Sequence, residues 1–175
     1  MLNIKYSKVE KVKPFGIDLK EKLVKVKRVC KVTKGRRYFS FSAIVIKGNK
    51  NGILGYGFGK SKEATDAIYK AGEKARKSLI RIPIVNGTVP HEQEAKHGGV
   101  KIFIFPASEG TGVIAGGAVR IVLEYAGIKN VLSKLKGSSN TNNCVKATIN
   151  ALINMRSVEY IAKERGISIK KVFMG

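Results

Sequence analysis

The sequence predicts an α+β chain built from two small units in series. Apolar residues recur at period two in two successive stretches, 24–32 and 38–47, a glycine-dotted strand follows over 53–58, and the spacing then switches to helical over 61–79. Beyond a junction at 81–83, a second series of strand and helix signals follows that does not repeat the first. A third observation is electrostatic: the 18 residues from Lys20 to Arg37 hold nine basic side chains against one acid, Glu21, inside a segment that still alternates like a strand.

Residues 1–17 are Lys-rich and interrupted by Pro14 and Gly16, which predicts a basic arm, flexible or ordered by a partner. In the first predicted strand Val24, Val26, Cys30 and Val32 form one face, with Lys25, Lys27 and Lys31 opposite as a wet, basic one. Gly35 marks a turn. The second strand places Phe39, Phe41, Ala43 and Val45 on one side, and the Gly48-Asn49-Lys50-Asn51-Gly52 turn leads into a glycine-dotted third. The helix over 61–79 carries the stripe Ala64, Ala67, Ile68, Ala71, Ala75 and Leu79.

The second unit opens with the apolar run 82–85, then Asn86-Gly87, and a polar stretch over 90–99 that reads as loop. A strand over 100–105 stops at Pro106. The glycine-rich segment 110–117 feeds a helix with the stripe Ala118, Val119, Val122, Leu123 and Ala126, closed by Gly127 at the place of a left-handed cap. A strand over 128–135 follows, then N-cap candidates at 138–140 for a helix reaching about Met155. A short helix over 158–165 and a loosely packed basic tail over 167–175 complete the chain. These signals divide it into an arm at 1–17, units at 18–81 and 82–157, and a C-terminal helix and tail at 158–175.

Charge bounds the partners. The chain has 34 Lys and Arg against 12 Asp and Glu, a formal charge of +22, and residues 1–80 carry 21 of the bases against 6 acids. Such a surplus repels itself unless a polyanion neutralises it, and it favours nucleic acid over an anionic membrane or a partnerless basic protein. With 43% hydrophobic residues the chain can bury real cores. Cys30 and Cys144 are too few for a metal cluster with His91 and His97 or for a disulfide framework, and both read as small buried hydrophobes in a reducing compartment. The N-terminus has no apolar run of signal-peptide length, Glu10 and Asp18 argue against a transit peptide, and nothing approaches a bilayer span, so a soluble, intracellular protein is expected.

Two motifs invite a nucleotide reading. Gly55-Tyr56-Gly57-Phe58-Gly59-Lys60-Ser61 ends like a phosphate-binding loop, yet Leu54 stands where the pattern needs its first glycine, and neither aspartate, Asp18 nor Asp66, ends an apolar strand to hold magnesium. The structural alternative is that these glycines let a twisted strand approach something closely. Gly110, Gly112 and Ala115 fit a loose dinucleotide fingerprint, but no acid follows about twenty residues on to hold a ribose. What remains there is a row of bare amides at a helix start, with Arg120 one turn in, suited to a phosphate, a partner's carboxylate or plain close packing. His91 and His97 lie in a polar loop with no nucleophile–base arrangement and read as surface or RNA-contact residues. No catalytic group, metal or cofactor is expected.

The runs Lys31-Val32-Thr33-Lys34-Gly35, Phe39-Ser40-Phe41-Ser42-Ala43 and Gly55-Tyr56-Gly57-Phe58-Gly59-Lys60 resemble the first domain of the bacterial small-subunit ribosomal protein S-five family. The run from Pro106 to Gly117, Pro-Ala-Ser-Glu-Gly-Thr-Gly-Val-Ile-Ala-Gly-Gly, resembles its second, and Asn142-Asn143-Cys144-Val145-Lys146-Ala147-Thr148 extends the likeness to about residues 18–157. The resemblance implies a first domain like a double-stranded-RNA-binding module and a second of split βαβ type. It implies a structural place in the cytoplasmic 30S subunit, bound to 16S rRNA beside ribosomal proteins S-four and S-eight, with a part in translational accuracy. Arg28 and Arg37 match family arginines near the mRNA entry path, the 33–37 turn matches the loop near the spectinomycin site, and Gly112 and Arg120 match the surface facing S-four. The family usually reads Gly-Gly-Arg at this turn, whereas Arg36 replaces the second glycine here. If that position needs φ > 0, Arg36 costs about 1 kcal/mol or more, or the turn shifts.

The expected RNA-binding residues are therefore Lys25, Lys27, Arg28, Lys31, Thr33, Lys34, Gly35, Arg36, Arg37, Lys60 and Lys62, with Gly110, Gly112, Gly116, Gly117 and Arg120 as a second surface for protein or RNA. The competing expectation is a free-standing RNA-binding or RNA-remodelling protein. Neither reading takes a small-molecule substrate.

Overall fold

Why the first sheet can lie between two layers is visible in its middle strand, whose base is apolar on both sides. A computed structural model describes residues 12–174, so the arm expected at 1–17 lies mostly outside the described residues. Four strands form the first sheet in the order β1-β2-β3-β4: β1 (Lys20–Thr33), β2 (Arg36–Gly48), β3 (Ile53–Ser61) and the short β4 (Ile80–Arg81). Helix α1 (Ala64–Lys77) covers one face, where Ala43, Val45, Ala67 and Ala71 make a small core with Val26, Phe41 and Ile68. On the opposite face Ile44, Ile46 and Leu54 join the main core of the second unit.

That unit has a second sheet in the order β5-β6-β8-β7: β5 (Gln93–His97), β6 (Val100–Pro106), β7 (Val113–Ile114) and β8 (Val131–Gly137). Between β7 and β8, which pair in parallel, lies α2 (Gly117–Ala126), and α3 (Thr141–Asn154) follows β8. This is the expected split βαβ arrangement. Val100, Ile102 and Ile104 of β6 pack with Val119, Val122 and Leu123 of α2 and Val145 and Leu152 of α3, all fully buried. Each such side chain contributes about 1.5–3 kcal/mol on removal from water. Helices α4 (Val158–Arg165) and α5 (Ile169–Met174) end the described chain.

The glycine-dotted strand is explained by α1. A Cβ added at Gly55, Gly57 or Gly59 would collide with the carbonyl oxygens of Ala75, Ala71 and Ala67. Strand and helix thus meet backbone to backbone, alanine against glycine, which is the close approach the sequence offered as the structural alternative to a phosphate loop.

Backbone hydrogen bonds join the two units. The 48–52 turn lies against the C-terminus of α2: Lys50 N–H donates to Tyr125 O at 3.3 Å and Gly52 N–H to Ala126 O at 2.8 Å, so carbonyls that a helix end leaves unsatisfied are capped from the other unit. The Asn49 carboxamide accepts from Asn51 and Ile53 N–H at 2.8 and 3.0 Å and fixes the turn, while Gly127 takes the left-handed cap expected of it, at φ 96°. Tyr56 O–H reaches across to Asn142 Oδ1 at 3.0 Å.

Several expectations are corrected. A bulge between Leu23 and Lys25 puts Val24 on the face packed against the main core, whereas Val26 faces α1, so the two do not share a face. Cys30 is exposed, because α1 does not extend over that part of the hairpin. Within the stretch read as a polar loop lies β5: Gln93, Ala95 and His97 are half-buried while Glu94 and Lys96 are exposed, an alternation of burial without one of hydropathy. The strand expected from 128 starts at Val131, since Lys129 and Asn130 N–H bond back to Gly87 O. The tail contains the helix α5, opened by Ser168, which accepts from Lys171 and Val172 N–H. Arg36 does not have a positive φ: Gly35, at 82°, is the left-handed residue of the turn, and Arg36 sits in β2, so the feared strain does not arise.

Two stability predictions follow from this packing. Gly57→Ala should lower the unfolding free energy in urea by about 1–3 kcal/mol through overpacking; Gly117→Ala, whose Cβ meets nothing within 4 Å, should change it by no more than about 1 kcal/mol. Burial pushes the Tyr56 hydroxyl above its ordinary pKa. Its hydrogen bond to Asn142 contributes fully below the unfolded tyrosine value of about 10 and is lost as pH rises through the higher folded value. Tyr56→Phe should therefore cost about 0.5–1.5 kcal/mol at pH 7, and the gap to the wild type should close in melts above pH 10.

Candidate nucleic-acid interface

The β1–β2 hairpin is long for its support. Its strands pair without interruption from Lys25↔Ile44 to Thr33↔Arg36, yet α1 covers only the lower part, and every residue from 30 to 39 is exposed. A strand pair with both faces in water gains little from burial, so packing does not account for this outer half.

Register decides which cations stand together. Val26, Arg28, Cys30 and Val32 share the α1 side with Phe41, Phe39 and Arg37, their cross-strand partners or neighbours. Lys25, Lys27 and Lys31 point the other way, with Tyr38 opposite Lys31. Lys60 joins this second side, because Ser42 pairs with Lys27 on one flank and with Lys60 on the other. The predicted basic face is thus two faces: lysines on one, Arg28 and Arg37 on the other. At the tip, the Thr33 hydroxyl donates to Arg36 O at 3.2 Å, and Lys34-Gly35 make the two-residue turn between them. Lys62 is exposed beyond the end of β3.

Glu21, the hairpin's one acid, is engaged at the base, 3.0 Å from Lys47. Among the described residues no acid pairs with the outer cations. On the α1 side the Arg28 guanidinium stacks over the Phe39 ring, 4.0 Å from its centroid.

Structure adds neighbours that sequence reasoning missed. The N-terminus of α3 comes up beside the lysine face, and residues 140–143 line a crevice of about 180 Å³ with Lys25, Lys27, Ser42 and Phe58. Asn140 caps the helix by accepting from Asn142 N–H at 3.1 Å. A first turn reading Thr141-Asn142-Asn143 without an acid leaves the positive helix end unneutralised, and that absence was the available signal.

The second predicted surface is open in a way the first glycine run is not. Gly110 and Gly112 have φ of 90° and 74°, a Cβ on either would meet nothing within 4 Å, and Gly117 is equally unobstructed. The loop is tied down behind, Gly112 N–H donating to Asn130 Oδ1 at 3.0 Å and Gly112 O accepting from Val131 N–H at 3.0 Å. No side chain caps α2 at Gly116. Arg120 does not reach toward that helix start; its Nε pairs with Glu124 Oε1 at 2.7 Å along the helix.

His91 turns out to be a fastener. Its Nε2 accepts the Arg156 N–H at 2.9 Å, which assigns the proton to Nδ1, donated to Glu92 O. It ties the polar loop to the α3–α4 junction. Among the described residues no three His, Cys, Asp or Glu side chains gather as a metal site, and no helix is long and apolar enough to cross a membrane.

Comparison with known proteins finds two family domains along the chain. Residues 19–83 match the family described as "Ribosomal protein S5, N-terminal domain", and residues 95–165 match "Ribosomal protein S5, C-terminal domain". Among curated relatives, the small ribosomal subunit protein uS5 of Karelsulcia muelleri is 68% identical over 96% of this chain and 97% of its own length. That of Flavobacterium psychrophilum is 58% identical over 98% of both chains, and that of Bacteroides thetaiotaomicron 60% over 91% of this chain and 92% of its own.

Proposed function

The chain belongs to the ribosomal protein S-five family, whose members are structural and not enzymes, and from that premise we propose that it is a structural constituent of the bacterial small ribosomal subunit in the cytoplasm. It binds 16S rRNA chiefly through the β1–β2 hairpin. The observation that carries this reading is the hairpin itself: a two-sided cationic strand pair, exposed from residue 30 to 39, whose single acid is held at the base.

Its lysine side, Lys25, Lys27, Lys31 and Lys60, suits phosphates as point charges, and specificity comes from RNA shape rather than base edges. Arg28 and Arg37 border the path by which mRNA enters. The open surface at Gly110, Gly112, Gly116, Gly117 and Arg120 faces ribosomal protein S-four and bears on decoding accuracy, because backbone without side chains allows close approach; S-eight is the other protein neighbour. Arg120 reaches such a partner only by exchanging Glu124 for a new carboxylate.

Sucrose-gradient fractionation of cell extract tests the assignment. The protein should sediment with 30S particles; recovery with free protein alone would support a free-standing RNA-binding or RNA-remodelling protein instead. In binding measurements with 16S transcripts across salt concentrations, Arg37→Ala should lower the slope of log affinity against log salt by about one, the loss of one phosphate contact.

A further inference from the structure

The two faces of the hairpin differ in kind as well as in charge. Phosphate neutralisation accounts for the lysine side. It does not account for the other, where Phe39, under the Arg28 guanidinium, is 49% exposed and Val32, further out on the same side, 71%. Large apolar side chains are left in water here, Val32 within and Phe39 paired against the stretch from Lys20 to Arg37, which holds nine bases to one acid. α1 packs only as far as Phe41 and Val26 on this side.

We propose that the Arg28–Phe39 stack is a nucleobase subsite, at which one unpaired base of the bound RNA continues the stack while the phosphates beside it meet Arg37. This rests on the RNA-binding reading above and adds a ligand chemistry to it. Charge complementarity selects the occupant: the flanking cations require a polyanion, and among polyanions nucleic acid also offers flat apolar faces. The base must be unpaired, since the faces of bases within a helix are already covered by their neighbours. Arginine rather than lysine is the residue type for such a place, because its planar guanidinium can lie flat on the ring and present its other face to a second ring. Val32 lies on the same side of the hairpin and supplies an apolar wall, and Arg37, its cross-strand partner, brings a cation to the edge of the site. Tyr38 lies on the lysine side, opposite Lys31, and takes no part.

The decisive variants conserve charge. Phe39→Leu keeps an apolar side chain but removes the π face, and Arg28→Lys keeps the cation but removes the plane. The full-length protein is titrated into a single-stranded RNA oligonucleotide carrying 2-aminopurine, with fluorescence and affinity read at several salt concentrations and the fold of each variant checked by thermal melting. Wild type should quench the probe, and each variant should bind about tenfold more weakly with reduced quenching and an unchanged salt slope. Lys31→Ala should show the converse, a lower slope with quenching at saturation retained. Variants that match the wild type in affinity and quenching, or wild-type binding without quenching, would overturn the base subsite and leave the RNA-binding reading standing. A wild type that binds no RNA even at low salt would remove both.

Discussion

Everything the hairpin can do depends on a seam of backbone hydrogen bonds at the other end of its strands. The 48–52 turn closes the exposed carbonyls of α2 with Lys50 and Gly52 N–H, and Ile82 N–H returns to Gly52 O at 2.8 Å. Glycine is required on both sides. A Cβ at Gly48 would strike the Tyr125 carbonyl, and one at Gly127 would strike that of Lys50. Together with Ile44, Ile46 and Leu54, which pack into the main core, the seam holds the two sheets against each other, and the N-terminus of α3 lies beside Lys25 and Lys27. A crevice drawn from both units is the result.

Cationic surplus and stability are reconciled by where the charge stands. On each face of the outer hairpin, successive residues lie about 7 Å apart along a strand, within the roughly 8 Å screening length at physiological salt, so the cations repel one another until a polyanion arrives. That repulsion is concentrated where little core remains to be disturbed. Ala43, Ile44, Val45 and Ile46, the part of β2 buried on both faces, lie toward the base. The sheet is anchored where β2 is apolar on both faces and extended where it has no core behind it.

How much of this was legible in the sequence follows from what each signal measures. Alternation located β1 and β2, a glycine-dotted apolar run located β3, helical stripes located α1 and α2, and N-cap residues located α3; burial follows the stripes of α1 and α2 and the base of β2, but not the outer hairpin, where Cys30, Val32 and Phe39 are exposed. Alternation failed at Val24, where one extra residue reverses the faces, since a bulge leaves no mark in residue type. β5 was missed because Ala95 is its only apolar residue. The expected site residues were legible as types but not as neighbours. Their sorting into a lysine face and an arginine–aromatic face is a matter of register, and the arrival of Asn140 to Asn143 beside them depends on the seam, for which no local signal exists. His91 was invisible for another reason: its partner is a backbone N–H 65 residues away, and backbone partners carry no sequence signature.

The two glycine-rich runs show how such a motif should be weighed. Both end at a helix, and both invite a phosphate. At Gly55, Gly57 and Gly59 the missing side chains are filled by the carbonyls of α1, so the run is consumed by the fold and nothing can enter. Gly110, Gly112 and Gly117 face open space, and two of them hold the left-handed conformation that other residues rarely adopt. Packing explains the first run completely and the second not at all. A positive φ accounts for Gly110 and Gly112 as residues, but nothing in the fold fills the space in front of them, and that physical distinction, rather than the spelling of the motif, is what supports the contact surface proposed for the loop before α2.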